Sequence, residues 1–335
     1  AFDDDVKGGR IGWQQPVGLI TFVAIAIAVI PAVASIGSGQ WRAPRPELAG
    51  TLGALPHDPP AGDFRILYVG DARVLPIPGR AYRDSIAFAI SDDGPLDVRD
   101  LWATKPGAAE ALVVEALDAI SGNTTLRAGH MLAPLGIRYI VVPIIDGLRS
   151  TRTNTIPEPA GLQDAFADQL DLRRSSYVSD LAIVYENTTV IPLRSTLSGP
   201  AAAASQTAGA AALVRADLSG STSAFVGQDH PEPAMDALTA GSLYHAIGND
   251  DRWVLAVGGE RVPARSAFGW SMAYEVPVAG TARLSYATPT SRRLFVALQG
   301  LLWIGTLVAT SRFQGWRRWW LRRRRRAAAA GELPV

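Results

Sequence analysis

The chain contains no cysteine, and its 335 residues hold only three methionines, four histidines and two lysines. Without cysteine there is no disulfide framework, no thiolate metal site and no cysteine nucleophile. His57, His130, His230 and His245 never recur at i, i+4 and form no HExxH, so zinc chemistry has no support. GxSxG, P-loop and GxGxxG patterns are missing too, which removes the common esterase, nucleotide-hydrolase and dinucleotide-binding signatures. No metal, no cofactor and no catalytic residue is expected.

What is present is unevenly placed. From Arg312 to the end there are eight arginines and one glutamate, whereas the preceding residues carry 24 basic against 30 acidic side chains. Two uncharged apolar stretches lie near the termini. Val17 to Ile36 covers twenty residues, about 30 Å of helix, which is the thickness of a hydrocarbon core. Pro31 would kink it. Ala32-Val33-Ala34 has the look of a signal-peptide cleavage site, but Asp3, Asp4, Asp5, Lys7 and Arg10 leave the leading stretch net negative, against that reading. The acidic triplet itself reads as solvated charge. Leu294 to Ser311 is the second stretch, preceded by Arg292 and Arg293 and followed by the basic tail. Within that tail Trp316, Arg317, Arg318, Trp319 and Trp320 read as membrane-anchoring residues at an interface. A basic run beside an apolar span suits anionic lipid better than nucleic acid, so a lipid bilayer is the expected partner and nucleic acid is not.

These stretches predict an α+β membrane protein with two transmembrane helices flanking an exoplasmic α/β module and a jelly-roll-like β-sandwich. The expected layout is a cytoplasmic lead over 1–16, a transmembrane helix over 17–36 and an extended linker over 37–62. An exoplasmic α/β module over 63–198, an Ala/Gly-rich linker over 199–220 and a β-sandwich over 221–291 follow. A second transmembrane helix over 294–311 and a cytoplasmic tail over 312–335 complete it. The expected place is the plasma membrane, multi-pass, with the bulk of the chain extracytoplasmic. An apolar segment within twenty residues of a start lacking Met points to the C-terminal part of a longer protein.

Phe64 to Val69 is a continuous apolar run ending at Gly70-Asp71, as a buried strand does at a turn. Ala109, Leu112, Val113, Ala116, Leu117 and Ile120 fall on one helical face, closed by Gly122. Residues 126–135 read as a shorter helix leading into a strand over Arg138 to Pro143. Gly161 to Leu170 is a third helix, with Leu162, Phe166 and Leu170 on its stripe. Strands are expected at 171–176 and 181–186. After the Ala/Gly-rich segment the pattern predicts two hairpins, 253–257 with 260–262 and 272–276 with 282–286.

Candidate binding residues follow from these elements. Asp71 sits at the carboxyl end of a buried strand, where α/β folds place ligand groups, with Asp92, Asp93, Asp97 and Asp100 close behind. The bland alternative for these is an acidic surface loop. Trp253, Trp270 and Tyr274 lie in the β module, where aromatic faces can stack on sugar rings or simply fill the core. His230, between Asp229 and Pro231-Glu232-Pro233, reads as a rigid loop. Asn123-Thr124-Thr125 and Asn187-Thr188-Thr189 match the glycosylation pattern.

Three stretches taken together carry a resemblance: Tyr68 to Pro76 (YVGDARVLP), Leu132 to Val142 (LAPLGIRYIVV), and Val184 to Asn187 with Ile191-Pro192-Leu193. In this order the chain resembles the C-terminal part of large actinobacterial polytopic family 2 glycosyltransferases. In outline it is similar to the outward domain of YfhO-like and other GT-C membrane glycosyltransferases. That resemblance implies a role in moving sugars onto envelope polysaccharides or glycolipids, with nucleotide-sugar or polyprenyl-linked sugar donors. The families' catalytic elements lie outside these stretches, so none is carried over. The expected function is thus a non-catalytic portion that binds or orients glycan. The alternative is a stand-alone membrane-anchored structural protein of the cell envelope without enzyme activity.

Overall fold

The computed structural model describes residues 62–92, 107–144, 159–175, 181–207, 209–226 and 234–308, with 19, 20, 22–27, 29, 30, 33, 55, 96 and 100. Its first unit is a six-stranded sheet in the order β2-β3-β1-β4-β6-β5. These strands are β1 (Arg65–Asp71), β2 (Arg80–Arg83), β3 (Ile86–Asp92), β4 (Ile137–Pro143), β5 (Leu172–Arg174) and β6 (Ala182–Asn187). Only the central β1–β4 pair is parallel; β3 turns back on β1, and β6 on β4, antiparallel. A parallel pair needs a crossover, and the chain supplies helices for it. β1 and β4 are buried almost throughout because apolar side chains leave both of their faces. Leu67, Val69, Ile140 and Val142 meet the helices, while Ile66, Tyr68, Tyr139 and Val141 form a separate core on the opposite face.

Helix α1 (Ala108–Ser121) occupies the expected place and buries Leu112, Val113, Ala116, Leu117 and Ile120. Full burial of a Leu, Ile or Val is worth roughly 1.5–3 kcal/mol, which is why this stripe fixes the helix on the sheet. Glu110 starts it, its carboxylate accepting the Gly107 N–H at 2.8 Å. α2 (Ala128–Leu132) runs into a 3-10 turn, Ala133–Leu135, which Gly136 ends at φ 71°. A side chain there would be strained by that φ and would run into Leu193. α3 (Leu162–Ala167) is shorter than expected. Leu162 and Phe166 are buried, but Leu170 lies beyond the helix end, 74% exposed.

The second unit is a sandwich. One sheet has the order β13-β14-β10-β7-β8 and the other β12-β11-β15-β9. Its strands are β7 (Arg194–Thr196), β8 (Thr222–Ser223), β9 (Ala234–Leu238), β10 (Gly241–Gly248) and β11 (Trp253–Val257). β12 (Glu260–Val262), β13 (Ala264–Ala267), β14 (Ser271–Val276) and β15 (Gly280–Tyr286) complete it. The β11–β12 hairpin forms as the sequence predicts. The second expected hairpin does not. β14 pairs with β10 and β13, and β15 pairs with β11 and β9, so the turn after Val276 carries the chain from one sheet to the other.

The Ala/Gly-rich segment is not an open linker. It carries α4 (Gly199–Ala204), capped by Ser198, and α5 (Ala210–Leu213), with Ala201, Leu213 and Leu218 buried. These residues, with Tyr244, Phe268 and Trp270, belong to the same core as α1 and β4, so the two units share one apolar interior. Tyr244 reinforces the join by donating its hydroxyl to the Pro134 carbonyl.

The two expected transmembrane helices are corrected. Among the described residues no helix is long and apolar enough to cross a membrane. The helix over 290–308 begins in polar residues, Arg292 and Arg293 among them, and Gln299 interrupts the apolar run. Within the described residues, what remains falls short of the roughly 20 residues a span needs. Leu294, Phe295, Leu301 and Trp303 on this helix are exposed. The multi-pass plasma-membrane placement and the extracytoplasmic position of the chain rested on those spans and lose their basis, as does the membrane part of the fold class. The α/β unit and the sandwich remain. The lead, the extended linker apart from Leu55 and Gly62, and the basic tail with Trp316, Arg317, Arg318, Trp319 and Trp320 lie outside the described residues, as do His57 and His230.

Candidate functional site: a cleft between the two units

The joint between the units is not filled everywhere. A cavity of about 570 Å³ opens where the amino-terminal end of β1 and the β2–β3 edge face the end of β10 and the turn before β14. Its charged wall comes from the first unit. Arg65 and Asp92 are register partners across the antiparallel β1–β3 pair, and Arg65 Nε donates to Asp92 Oδ1 at 3.3 Å. Arg65 Nη1 also donates to the Leu135 carbonyl at 3.0 Å, which fixes the guanidinium at the rim of the 3-10 turn. Arg80 of β2 reaches across to α1 and pairs with Glu110 at 3.1 Å. Glu110 is itself held by the Gly107 amide, so this carboxylate is fixed from two sides. Asp100 also lines it. Among the described residues, two guanidiniums thus face three carboxylates.

The opposite wall is apolar and aromatic: Ile247, Gly248 and Trp270. Trp270 is delivered by a turn in which Phe268, at φ 52°, and Gly269, at φ 76°, both adopt left-handed backbone. That conformation is uncommon for an aromatic residue and persists only where the surroundings hold it. They do so here. The Phe268 ring sits edge-on to Tyr244 with centroids 5.2 Å apart, and its N–H donates to the Ser205 carbonyl at 2.8 Å. The indole of Trp270 is buried, and among the described residues its Nε1–H has no acceptor; that atom has no accessible surface, so the ring meets the cavity through other atoms.

Asp93 and Asp97 lie outside the described residues; of the described residues singled out in the sequence, Trp270, Asp92 and Asp100 come to this cleft. Asp71 stands at the other end of β1, about 20 Å away along the strand. It is closed on itself: Arg73 Nε and N–H donate to Oδ1, both at 2.9 Å, and Nη2 to Oδ2 at 2.7 Å. Those bonds from Arg73 hold its carboxyl below the usual range. Trp253 and Tyr274 are core residues between the two sandwich sheets. Trp253 lies edge-on to His245 and Tyr286, with centroids 4.7 and 5.2 Å away, and Tyr274 donates its hydroxyl to the Trp253 carbonyl at 3.3 Å. Burial pushes the Tyr274 phenol up to about 12.

Arg65, Arg80 and Glu110 have no counterpart in the sequence reading. Their partners are 27 to 30 positions away, and no local spacing signals such pairs. His130 lies outside the cleft; its Nδ1 is 2.7 Å from Asp171 Oδ2, which also accepts the His130 backbone N–H. This contact fastens the start of α2 to the sheet. Among the described residues no cluster of His, Asp and Glu forms a metal site. No protein-family model matches the chain, and no curated protein or solved structure is similar enough to it to count as a relative.

Proposed function

We propose that the chain is a non-catalytic glycan-binding unit whose cleft seats a sugar. The observation that carries this reading is a single cavity with paired arginines and carboxylates on one wall and the Trp270 ring beside Ile247 on the other. A sugar offers what each wall lacks. Its hydroxyls donate to carboxylates and accept from guanidiniums, while its C–H face rests on an aromatic or aliphatic wall. About 570 Å³ is room for a mono- or disaccharide. Asp92 and Glu110 are each tied to an arginine, so neither stands free as a general acid, which favours binding over hydrolysis. The wider role, presenting glycan during polysaccharide or glycolipid assembly, is supported only by the resemblance of the 68–76, 132–142 and 184–193 stretches.

Calorimetric titration of the full chain with a panel of oligosaccharides tests the reading, using Gly248→Trp as the blocked form. A Cβ at Gly248 meets nothing within 4 Å, so a side chain can start there without a clash at its base, and the melting curve of the variant checks the fold. Binding by the native chain, lost in this variant at unchanged melting temperature, is expected. Equal binding by both would contradict the assignment.

A further inference from the structure

We infer that the helix over 290–308 is a self-association surface, along one stripe of which two copies of this chain pair. The inference goes beyond the glycan reading and does not depend on it. Exposure, area and sequence pattern lead there together.

The helix follows β15 and leaves the sandwich. Its ten large apolar side chains from Leu294 to Val308 are each 47–74% open to solvent, and every residue from 290 to 308 is exposed. None of the three apolar clusters of the fold includes a residue from it. Most of the stability of a helix in a protein comes from packing an apolar face, and within one copy this helix packs on nothing described.

The surface left open is large. Ten such side chains, more than half exposed on average, present roughly 1,000 Å² of apolar area. A monomer leaves only a few hundred Å² in one patch, and each partner in a standard interface buries about 800 Å². One helix therefore carries enough surface for a stable dimer.

The pattern says which side meets the partner. Leu294, Ala297, Leu301, Ile304 and Val308 recur at spacings of three, four, three and four, the a and d positions of a heptad. Arg292, Gln299 and Thr306 fall seven residues apart, at the one heptad position turned farthest from that seam. Apart from Arg293, no other charged, amide or hydroxyl side chain occurs between 292 and 308. The Thr306 hydroxyl donates to the Leu302 carbonyl at 2.8 Å, so it is served within its own helix. A seam of this kind is complementary to itself, apolar against apolar with the polar line outward on both helices. Two-fold pairing of identical chains requires that self-complementarity, which makes a second copy the occupant.

Sedimentation equilibrium of the full chain in detergent-free buffer, from about 1 to 50 µM, tests this directly. The mass of two chains is expected across most of that range. Leu301→Glu places a carboxylate in the seam and should weaken the dimer about a hundred-fold. Gln299→Glu adds the same charge on the opposite side and should change it less than about three-fold. Melting curves of both variants should match the native chain, because the helix lies outside the three clusters. A monomer throughout the range, or aggregates of mixed size without a dimer, would overturn the inference. Equal weakening by the two substitutions would do the same, since it would show a general stickiness instead of a seam. So would a chain that stays monomeric in buffer and co-sediments with phosphatidylcholine vesicles, which would make lipid the occupant.

Discussion

Trp253 and Trp270 belong to the same sandwich and are both buried, but they are buried differently. Trp253 is enclosed by rings on two sides, and its carbonyl receives the Tyr274 hydroxyl, so the space between the sheets is filled. Trp270 follows a turn with left-handed backbone and belongs to the other core, and part of its ring lines a charged cavity. Burial alone therefore does not tell the two apart. What does is whether the ring borders open space, because only such a ring can meet a ligand without the core rearranging.

This comparison can be broken at several points. Trp253→Ala should produce the largest effect, a loss of about 3–5 kcal/mol in denaturant unfolding, since it empties the centre of a sealed core. Trp270→Phe should cost less, about 1–3 kcal/mol in the same assay, because the fused pyrrole ring is lost but a six-membered ring stays in place. A larger loss at position 270 would mean that this indole is structural too.

Alkaline stability separates the two regions next. Burial raises the phenols of Tyr68, Tyr244 and Tyr274, the last to about 12. In the unfolded chain a tyrosine loses its proton near pH 10. Each buried phenol therefore contributes fully below that pH, and its contribution falls as the pH rises through the folded value. The slope is about 1.4 kcal/mol per pH unit for each tyrosine. Tyr274→Phe should make unfolding above pH 10 shallower by one such increment, measured by urea melts at pH 9 to 11.5. Changes in the cleft should leave that slope untouched.

The smallest effect is expected at Asp71. Its carboxyl is held low by Arg73, so the pair contributes above the ordinary carboxylate range, near pH 4, and is lost as the pH falls below it. Arg73 is mostly in water, and the pair is worth under about 1 kcal/mol. Asp71→Asn should flatten acid unfolding slightly and leave glycan binding unchanged. A binding defect in that variant would move the site to the far end of β1.

How much of this the sequence revealed depends on the range over which each feature is written. β1, β4 and α1 are legible because a buried strand and an amphipathic helix each carry their period within a dozen residues. The crossing from β14 to β15 is not. Two alternating strands joined by a short turn look like a hairpin whether they pair with each other or with strands in separate sheets. Residues 199–220 misled through composition: alanines next to glycine suggest looseness, but Ser198 caps a helix there and Ala201 is sealed in the core. The apolar stretch from Leu294 misled in the other direction, since a hydrophobic run promises a span only if its length and flanks permit it. Trp270 was visible as a candidate for stacking on a sugar, but nothing in the sequence set it apart from Trp253 and Tyr274. The pairs Arg65–Asp92 and Arg80–Glu110 exist only because β3 turns back on β1 and α1 lies across β2.

The most direct test follows the indole N–H itself. In a ¹⁵N-labelled full chain the Trp270 indole resonance, assigned by its disappearance in Trp270→Phe, can be followed as an oligosaccharide from the calorimetric panel is added. A site in the cleft predicts that this signal shifts with saturation, because the ring lines the cavity, while the Trp253 indole signal stays in place. A bound glycan that leaves the Trp270 signal still, or shifts Trp253 instead, would contradict the account.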